Sequence, residues 1–168
     1  EHSYLQSPCF DFSALAEDPV IEVALNYAIE AEYDGGYLEM STDDGNSWKK
    51  VGAIGEGINW YTFNNTSQNL GHFWNGESKG WINARHRLPG AAGKYPVYLR
   101  FAFAADELIQ LEGLGIDDIR IFEPAPNDLA GRTVSTTADA DDCGLLQDAV
   151  TFAFTNLGSE PQSGFDVY

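Results

Sequence analysis

Strict alternation of apolar and polar side chains over residues 20–30 is the feature that most constrains the fold. In VIEVALNYAIE every second side chain is large and apolar, namely Ile21, Val23, Leu25, Tyr27 and Ile29. A period of two residues indicates a β-strand with one buried face, because successive side chains point to opposite sides of a sheet. That apolar face has to be covered by a second layer of structure.

The rest of the sequence predicts more strands and no long helix. A hairpin is predicted over residues 37–52, and further strands in GWINARHRL, YPVYLRFAFAA and LGIDDIRIF. The segment FSALAEDP favours at most one short helical turn. Many short strands with glycine-rich turns are typical of a β-sandwich, so we expect an all-β protein that begins with a jelly-roll β-sandwich. Residues 53–80 are expected to form a long, aromatic-rich excursion at one end of it.

The segment EPAPND marks a domain boundary, because its two prolines end a strand and stiffen a linker. We therefore predict a β-sandwich over 1–122, a Pro-rich linker over 123–128 and a second unit over 129–168. The second unit has about three strand patterns, whereas an Ig-like sandwich needs about seven. It is predicted to be a partial Ig-like β-sandwich that needs additional strands from another segment or another chain. The apolar side chains expected to lack an opposing sheet are Val150, Phe152, Phe154, Phe165 and Val167.

Charge and cysteine content exclude several classes of function. The formal net charge of -17 repels phosphate backbones, so we expect no nucleic-acid partner. No apolar run approaches the ~20 residues of a membrane span, so we expect no membrane insertion. Cys9 and Cys143 belong to no CxxC motif, which disfavours zinc, and we expect two unlinked thiols.

The stretch STDDGNSW carries the spacing S-x-D-x-G-x-x-W of an Asp box, formed by Ser41, Asp43, Gly45 and Trp48. Glycine permits the positive φ of a tight turn, and the Asp43 carboxylate can accept backbone N–H bonds across it. We therefore interpret the motif as a structural fastener between two strands, with a ligand site as the alternative. A single Asp box in a chain this short is not enough to build a β-propeller of repeated Asp boxes. The motif is not a calcium-binding EF-hand loop either, because the spacing of its residues differs.

Carboxylates near predicted strand ends favour a calcium site. Calcium takes six to eight oxygen ligands from carboxylates and backbone carbonyls. The candidate ligands are Asp11, Asp34, Asp117 and Asp118. Because Asp117 and Asp118 are adjacent in a strand, one of them is expected to face inward and to need a partner. The alternative partner to a cation is an internal arginine, either Arg85, Arg87 or Arg100.

Four aromatic residues are candidates for ligand binding. Trp60, Tyr61, Trp74 and Trp81 lie in or beside the 53–80 excursion. Their ring faces suit the C–H faces of sugars, which predicts glycan binding. The alternative is that they cover the open end of the sandwich, because most large aromatic side chains are buried.

Four segments taken together resemble a known module. SPCFDFS, YDGGYLEMSTDDGNSW, GWINARHRLPG and VYLRFAFAADELIQLEGLGIDDIRIF follow one another in the order of the MAM-like or reelin-repeat-like jelly-roll module. The resemblance spans about residues 1–122 and implies a module of secreted, multidomain bacterial surface proteins or one appended to secreted peptidases. It also implies a structural calcium near the ends of the first and last strands. The segment from NDLAGRTVS onward resembles the start of a CARDB or Ig-like adhesion module.

These observations predict a non-catalytic accessory or adhesion module, stabilised by calcium, in a secreted or cell-surface protein. A carbohydrate-binding module attached to a secreted enzyme is the first alternative. A glycan-active enzyme using an acid pair such as Glu107 and Glu112 is the second. No Ser/His/Asp or Cys/His spacing suggests a catalytic triad. Glycans or another protein chain are the expected partners.

Overall fold

The computed structural model describes residues 2–65, 71–136 and 150–164. The chain divides into two compact units, Glu1–Pro124 and Ala125–Tyr168. Among the described residues all regular structure is β-structure, and antiparallel strand pairs build every sheet. The same residues contain no helix with the length and hydrophobicity to span a membrane.

The first unit is built from two main sheets and a small hairpin. Its strands are β1 (His2–Gln6), β2 (Val20–Ala28), β3 (Gly35–Ser41), β4 (Lys49–Lys50), β5 (Phe63–Asn65), β6 (Gly71–Phe73), β7 (Ile82–Arg87), β8 (Tyr98–Ala104) and β9 (Gly113–Phe122). One sheet has the strand order β1-β8-β3-β4 and the other the order β7-β2-β9. Strands β5 and β6 form the hairpin.

The core lies between the two main sheets. All five apolar side chains of the 20–30 alternation are buried, as the period of two predicts. Leu38, Leu99 and Phe101 of the facing sheet belong to the same buried cluster. The all-β, sandwich-like fold is thereby confirmed. The segment before Pro19, for which at most one helical turn was predicted, forms hydrogen-bonded turns and bends instead of a helix.

The second unit contains an antiparallel hairpin of β10 (Leu129–Thr136) and β11 (Val150–Asn156). The chain after β11 returns to residues 125–128, where the Leu157 amide donates to the Asp128 carbonyl at 2.8 Å. The Ser159 amide donates to the Ala125 carbonyl at 3.1 Å. Four of the six residues of the predicted linker, 125–128, therefore belong to the second unit. Cys143, Phe165 and Val167 lie outside the described residues.

The Asp box closes the turn between β3 and β4. The Ser41 hydroxyl donates to Asp43 Oδ1 at 2.7 Å and accepts the Gly45 amide at 2.9 Å. Asp43 Oδ1 also accepts the Ser47 amide at 2.9 Å. Gly45 has a φ of 79°, and its carbonyl accepts the Trp48 indole N–H at 3.1 Å. These bonds lie within one turn, as expected of a fastener.

Trp48 connects this turn to the outer face of the four-stranded sheet. The Arg100 guanidinium lies 4.0 Å from the Trp48 ring and 4.2 Å from the Tyr4 ring. Two nitrogens of Arg100 contact Glu39 Oε2 at 2.7 Å. The Asp box therefore supports a stacked ion pair on this sheet, because cations are attracted to aromatic ring faces.

We expect Ser41→Ala to lower the free energy of unfolding by about 1–3 kcal/mol, because the Ser41 hydroxyl is buried and is the acceptor of the half-buried Gly45 amide. The measurement is chemical denaturation followed by circular dichroism. Thr42→Ala, in the exposed neighbouring position, is the matched control. Equal stability of the two variants would contradict the role assigned to Ser41.

Acid should weaken the same turn. Hydrogen bonds from Ser47 and Ser41 lower the pKa of Asp43 to about 2. A carboxylate with a depressed folded pKa adds stability above its unfolded pKa, and this stability is lost as pH falls toward 2. Asp43→Asn should therefore be less stable than the parent at pH 6, and the difference in stability between the two proteins should disappear near pH 2. A difference independent of pH would contradict this interpretation.

Candidate metal centre

Three carboxylates meet at one end of the sandwich. Glu30 and Asp34 lie in the turn between β2 and β3, and Asp106 follows the end of β8. Pairing of Gly35 with Ala104 joins the beginning of β3 to the end of β8, which brings Asp34 close to Asp106. One carboxylate oxygen of each acid lies within 4.8 Å of the others. We call this group the acidic cluster.

Asn75 holds the turn that carries two members of the acidic cluster. Its side-chain nitrogen donates to the carbonyls of Glu30 and Asp34, at 2.8 Å and 2.7 Å. Its side-chain oxygen accepts the amide of Glu32, which has a φ of 72°. Thr62 fixes Asn75 in turn, because its hydroxyl accepts the Asn75 amide at 2.9 Å. The turn is thus positioned by the aromatic-rich excursion that crosses this end of the sandwich.

The acidic cluster is partly shielded from water. Asp34 is 5% exposed, and its Oδ1 atom accepts the Asp106 amide at 2.9 Å. Glu30 Oε2 is inaccessible to solvent and has no hydrogen-bond partner in the described part of the chain. Desolvation, followed by the charges of Asp106 and Asp34, raises the pKa of Glu30. The cluster therefore concentrates negative charge around an oxygen that lacks a partner.

A bound cation would neutralise the concentrated negative charge and would also give the buried Glu30 Oε2 atom a partner. Within the described ranges, no lysine, arginine or histidine forms an ion pair with the acidic cluster. The three acids also line a cleft of about 240 Å³, and residues of the 105–112 segment form part of its wall. A set of oxygen donors without thiolate or imidazole suits calcium or magnesium rather than zinc. Backbone carbonyls and water would have to complete the six to eight ligands of calcium.

The predicted metal ligands do not come together. Asp34 belongs to the acidic cluster, but Asp11, Asp117 and Asp118 do not. Asp11 is exposed and accepts the Ser13 amide at 2.9 Å, and hydrogen bonds from the Ser13 side chain and backbone lower the pKa of the Asp11 carboxyl. Glu30 and Asp106 were missed by the sequence prediction, since a single acid beside an apolar strand or in a loop has no distinctive pattern.

The expectation that Asp117 or Asp118 faces inward is wrong. Both side chains are exposed, and the register of β9 against β2 shifts between Glu22 and Ala24. Asp118 has a φ of 47°, and its amide donates to Asp117 Oδ1 at 2.8 Å. An irregularity of this kind interrupts the alternation on which the expectation depended.

Among the described residues, no ion pair joins either of these aspartates to an arginine, which was the alternative to a cation. Arg100 pairs with Glu39 at 2.7 Å, and Arg85 lies 3.9 Å from Glu22. Arg87 lies 3.7 Å from Glu17. The arginines of the first unit are thus matched to glutamates on the outer faces of the sheets.

Three of the four aromatic candidates are core residues. Trp60, Tyr61 and Trp74 are buried, with ring centroids of neighbouring pairs 4.8–5.5 Å apart. The Trp60 indole N–H donates to the Val51 carbonyl, and that of Trp74 donates to the Asn59 carbonyl, both at 2.9 Å. Because these rings offer no open face, they do not form a sugar-stacking platform. Only Trp81 is exposed.

Comparison with protein-family models finds no match to this chain, and comparison with curated protein sequences finds none either.

Proposed function

We propose that this chain is a calcium-stabilised, non-catalytic accessory or adhesion module of a secreted or cell-surface multidomain bacterial protein. The observation that carries the proposal is the acidic cluster, in which Glu30 Oε2 is buried without a partner. The resemblance of the first unit to MAM-like modules supports the same interpretation. Calcium sites of extracellular modules bind at about 10⁻⁴–10⁻³ M, so a module that depends on calcium suits a setting outside the cell.

Calorimetric titration of the full chain tests the site directly. We expect calcium to bind with a dissociation constant on the order of 10⁻⁴–10⁻³ M, and magnesium more weakly, because magnesium demands a stricter octahedral geometry. Asp106→Asn should weaken calcium binding, whereas Asp117→Asn should not. Binding that survives in Asp106→Asn and is lost in Asp117→Asn would place the site at β9 instead.

The adhesive role requires a separate test. Beads coated with the full chain should adhere to bacterial cell envelopes in millimolar calcium and detach in chelator, and beads coated with the Asp106→Asn variant should not adhere. Adhesion that is absent, or equal in calcium and chelator, would contradict the proposal. Sustained hydrolysis of a polysaccharide by the purified chain would contradict its non-catalytic character.

The second unit supports assembly with further strands. Val134, Val150, Phe152 and Phe154 are exposed, although their hairpin alternates in polarity like a half-buried strand pair. The rings of Phe152 and Phe154 lie 6.3 Å apart on one face. A two-stranded hairpin is marginally stable in water without a covering layer. Strands from another segment or another chain would cover this face.

Trypsin gives a direct test, because Arg132 is the only lysine or arginine after Arg120. In dilute protein we expect rapid cleavage after Arg132, which lies in a two-stranded sheet, and slow cleavage at Arg85 and Arg100, which lie in the two main sheets of the first unit. The expected result is a fragment that ends at residue 132. If Arg132 resists trypsin as well as Arg85 does in a monomer, the second unit is stable without added strands.

A further inference from the structure

We propose that the outer face of the β7-β2-β9 sheet binds a neutral glycan, with the ring of Trp81 as its stacking platform. This goes beyond the calcium-stabilised module proposed above, because the surface is separate from the acidic cluster. Of the four aromatic residues that the sequence predicted to bind a ligand, Trp81 alone remains a candidate. Trp81 is 58% exposed, whereas the other three rings are in the core.

The Trp81 ring lies across the sheet. Trp81 immediately precedes β7, and the centre of this sheet is β2. A Cβ atom added to Gly115 of β9 would come within 3.5 Å of the tip of the Trp81 ring, at Cη2. The ring therefore reaches from the side of β7 over β2 to β9. The tip of the ring is therefore within van der Waals reach of position 115, and more than half of the Trp81 surface is exposed to solvent.

Polar groups flank the ring in a regular pattern. Asn26 pairs with Gly115, and Ala24 pairs with both Asn83 and Asp117. These two rows are about 7 Å apart along the strands. The Asn26 side-chain oxygen accepts the Ser78 hydroxyl at 3.2 Å, which fixes the amide.

These groups have unused hydrogen-bonding capacity. Within the part of the chain that the structure describes, the Asn26 side-chain nitrogen and the Asn83 side-chain amide make no hydrogen bond. The Trp81 indole N–H also has no acceptor there. Asp117 is exposed and uses one carboxylate oxygen to accept the Asp118 amide. The face thus offers donors and acceptors close to an exposed aromatic ring.

This combination selects the chemistry of the ligand. A pyranose has an apolar C–H face that suits the negative face of an aromatic ring, and a rim of hydroxyls that suits amides and carboxylates. A protein partner needs a larger apolar centre, whereas the neighbours Ala24 and Gly115 are small. Asp117 and the net charge of -17 repel anionic polymers. A neutral glycan is the class of ligand that fits.

Affinity electrophoresis of the full chain tests the proposal. Native gels contain either a neutral polysaccharide (soluble β-glucan, xylan, mannan or galactomannan) or the anionic polygalacturonate. We expect retardation by at least one neutral polymer and none by polygalacturonate. Trp81→Ala should raise the dissociation constant by about tenfold or more, since truncating a central tryptophan removes much of the binding energy of a site.

Tyr95→Ala is the matched control, because Tyr95 is an exposed aromatic residue outside this sheet. It should bind like the parent, and Asn83→Ala should bind more weakly. Circular dichroism melting should show that Trp81→Ala unfolds at the temperature of the parent. Absence of retardation by every neutral polymer, or equal retardation of Trp81→Ala and the parent, would overturn the proposal. Either result would leave the calcium response of the acidic cluster to be judged by its own titration.

Discussion

In excess calcium we expect the first unit to unfold at a markedly higher temperature than in excess chelator. Binding to the native state alone adds about 2.7 kcal/mol when free calcium is a hundredfold above its dissociation constant. For a protein of this size that corresponds to an increase in Tm of roughly 5–10 °C. Differential scanning calorimetry in the two buffers gives the measurement.

Glu30→Gln separates the contribution of calcium binding from the cost of crowding three carboxylates without a cation. In chelator the variant should be at least as stable as the parent, because it removes a like charge and a poorly solvated carboxylate from the acidic cluster. In calcium it should lose most of the increase in Tm. Glu32→Gln is the matched control, since it changes the net charge equally in the same turn but lies outside the cluster.

The pH dependence in chelator has a definite sign. The pKa of Glu30 is raised in the folded state, so folding is favoured by protonation of this group. Its contribution to stability is present below the unfolded pKa of 4.5 and is lost as pH rises through the folded value. The difference in Tm between Glu30→Gln and the parent should therefore grow with pH in chelator. A parent that melts at the same temperature in calcium and in chelator at pH 7 would refute the site.

Trp74→Ala should be the most destabilising single substitution in the aromatic-rich excursion. Trp74 is fully buried, and its ring contacts those of Trp60, Tyr61 and Phe101. Truncation of a buried tryptophan to alanine costs about 3–5 kcal/mol through lost burial and the resulting cavity. Urea denaturation followed by circular dichroism provides the free energies of unfolding.

Trp81→Ala is the counterpart at an exposed position and should change the free energy of unfolding by no more than about 0.5 kcal/mol. Tyr61→Phe should fall between the two, because the Tyr61 hydroxyl accepts the Leu38 amide at 3.1 Å inside the core. This loss is expected to cost about 1–3 kcal/mol. If Trp74→Ala were as stable as Trp81→Ala, Trp74 would not support the core.

Local sequence determined the elements whose structure depends on near neighbours. The alternation of residues 20–30 was sufficient to predict β2 and its buried face, because side chains two residues apart share a side of a strand. The Asp box was equally predictable, since Ser41, Asp43 and Gly45 bond to one another within a single turn. The domain boundary near residues 123–128 also followed from local composition.

The tertiary structure decided which of many acids and aromatic rings act together. The acidic cluster joins residues 30, 34 and 106, and their approach depends on the pairing of Gly35 with Ala104. No local pattern encodes that register, so the sequence prediction included Asp34 but did not place it with Glu30 and Asp106. An irregularity in β9 likewise turned Asp117 and Asp118 to the surface. Polar residues outnumber hydrophobic ones in residues 53–80, so the local sequence did not separate the buried Trp60 and Trp74 from the exposed Trp81. Burial of a side chain depends on what covers it, and that is a property of contacts between segments distant in sequence.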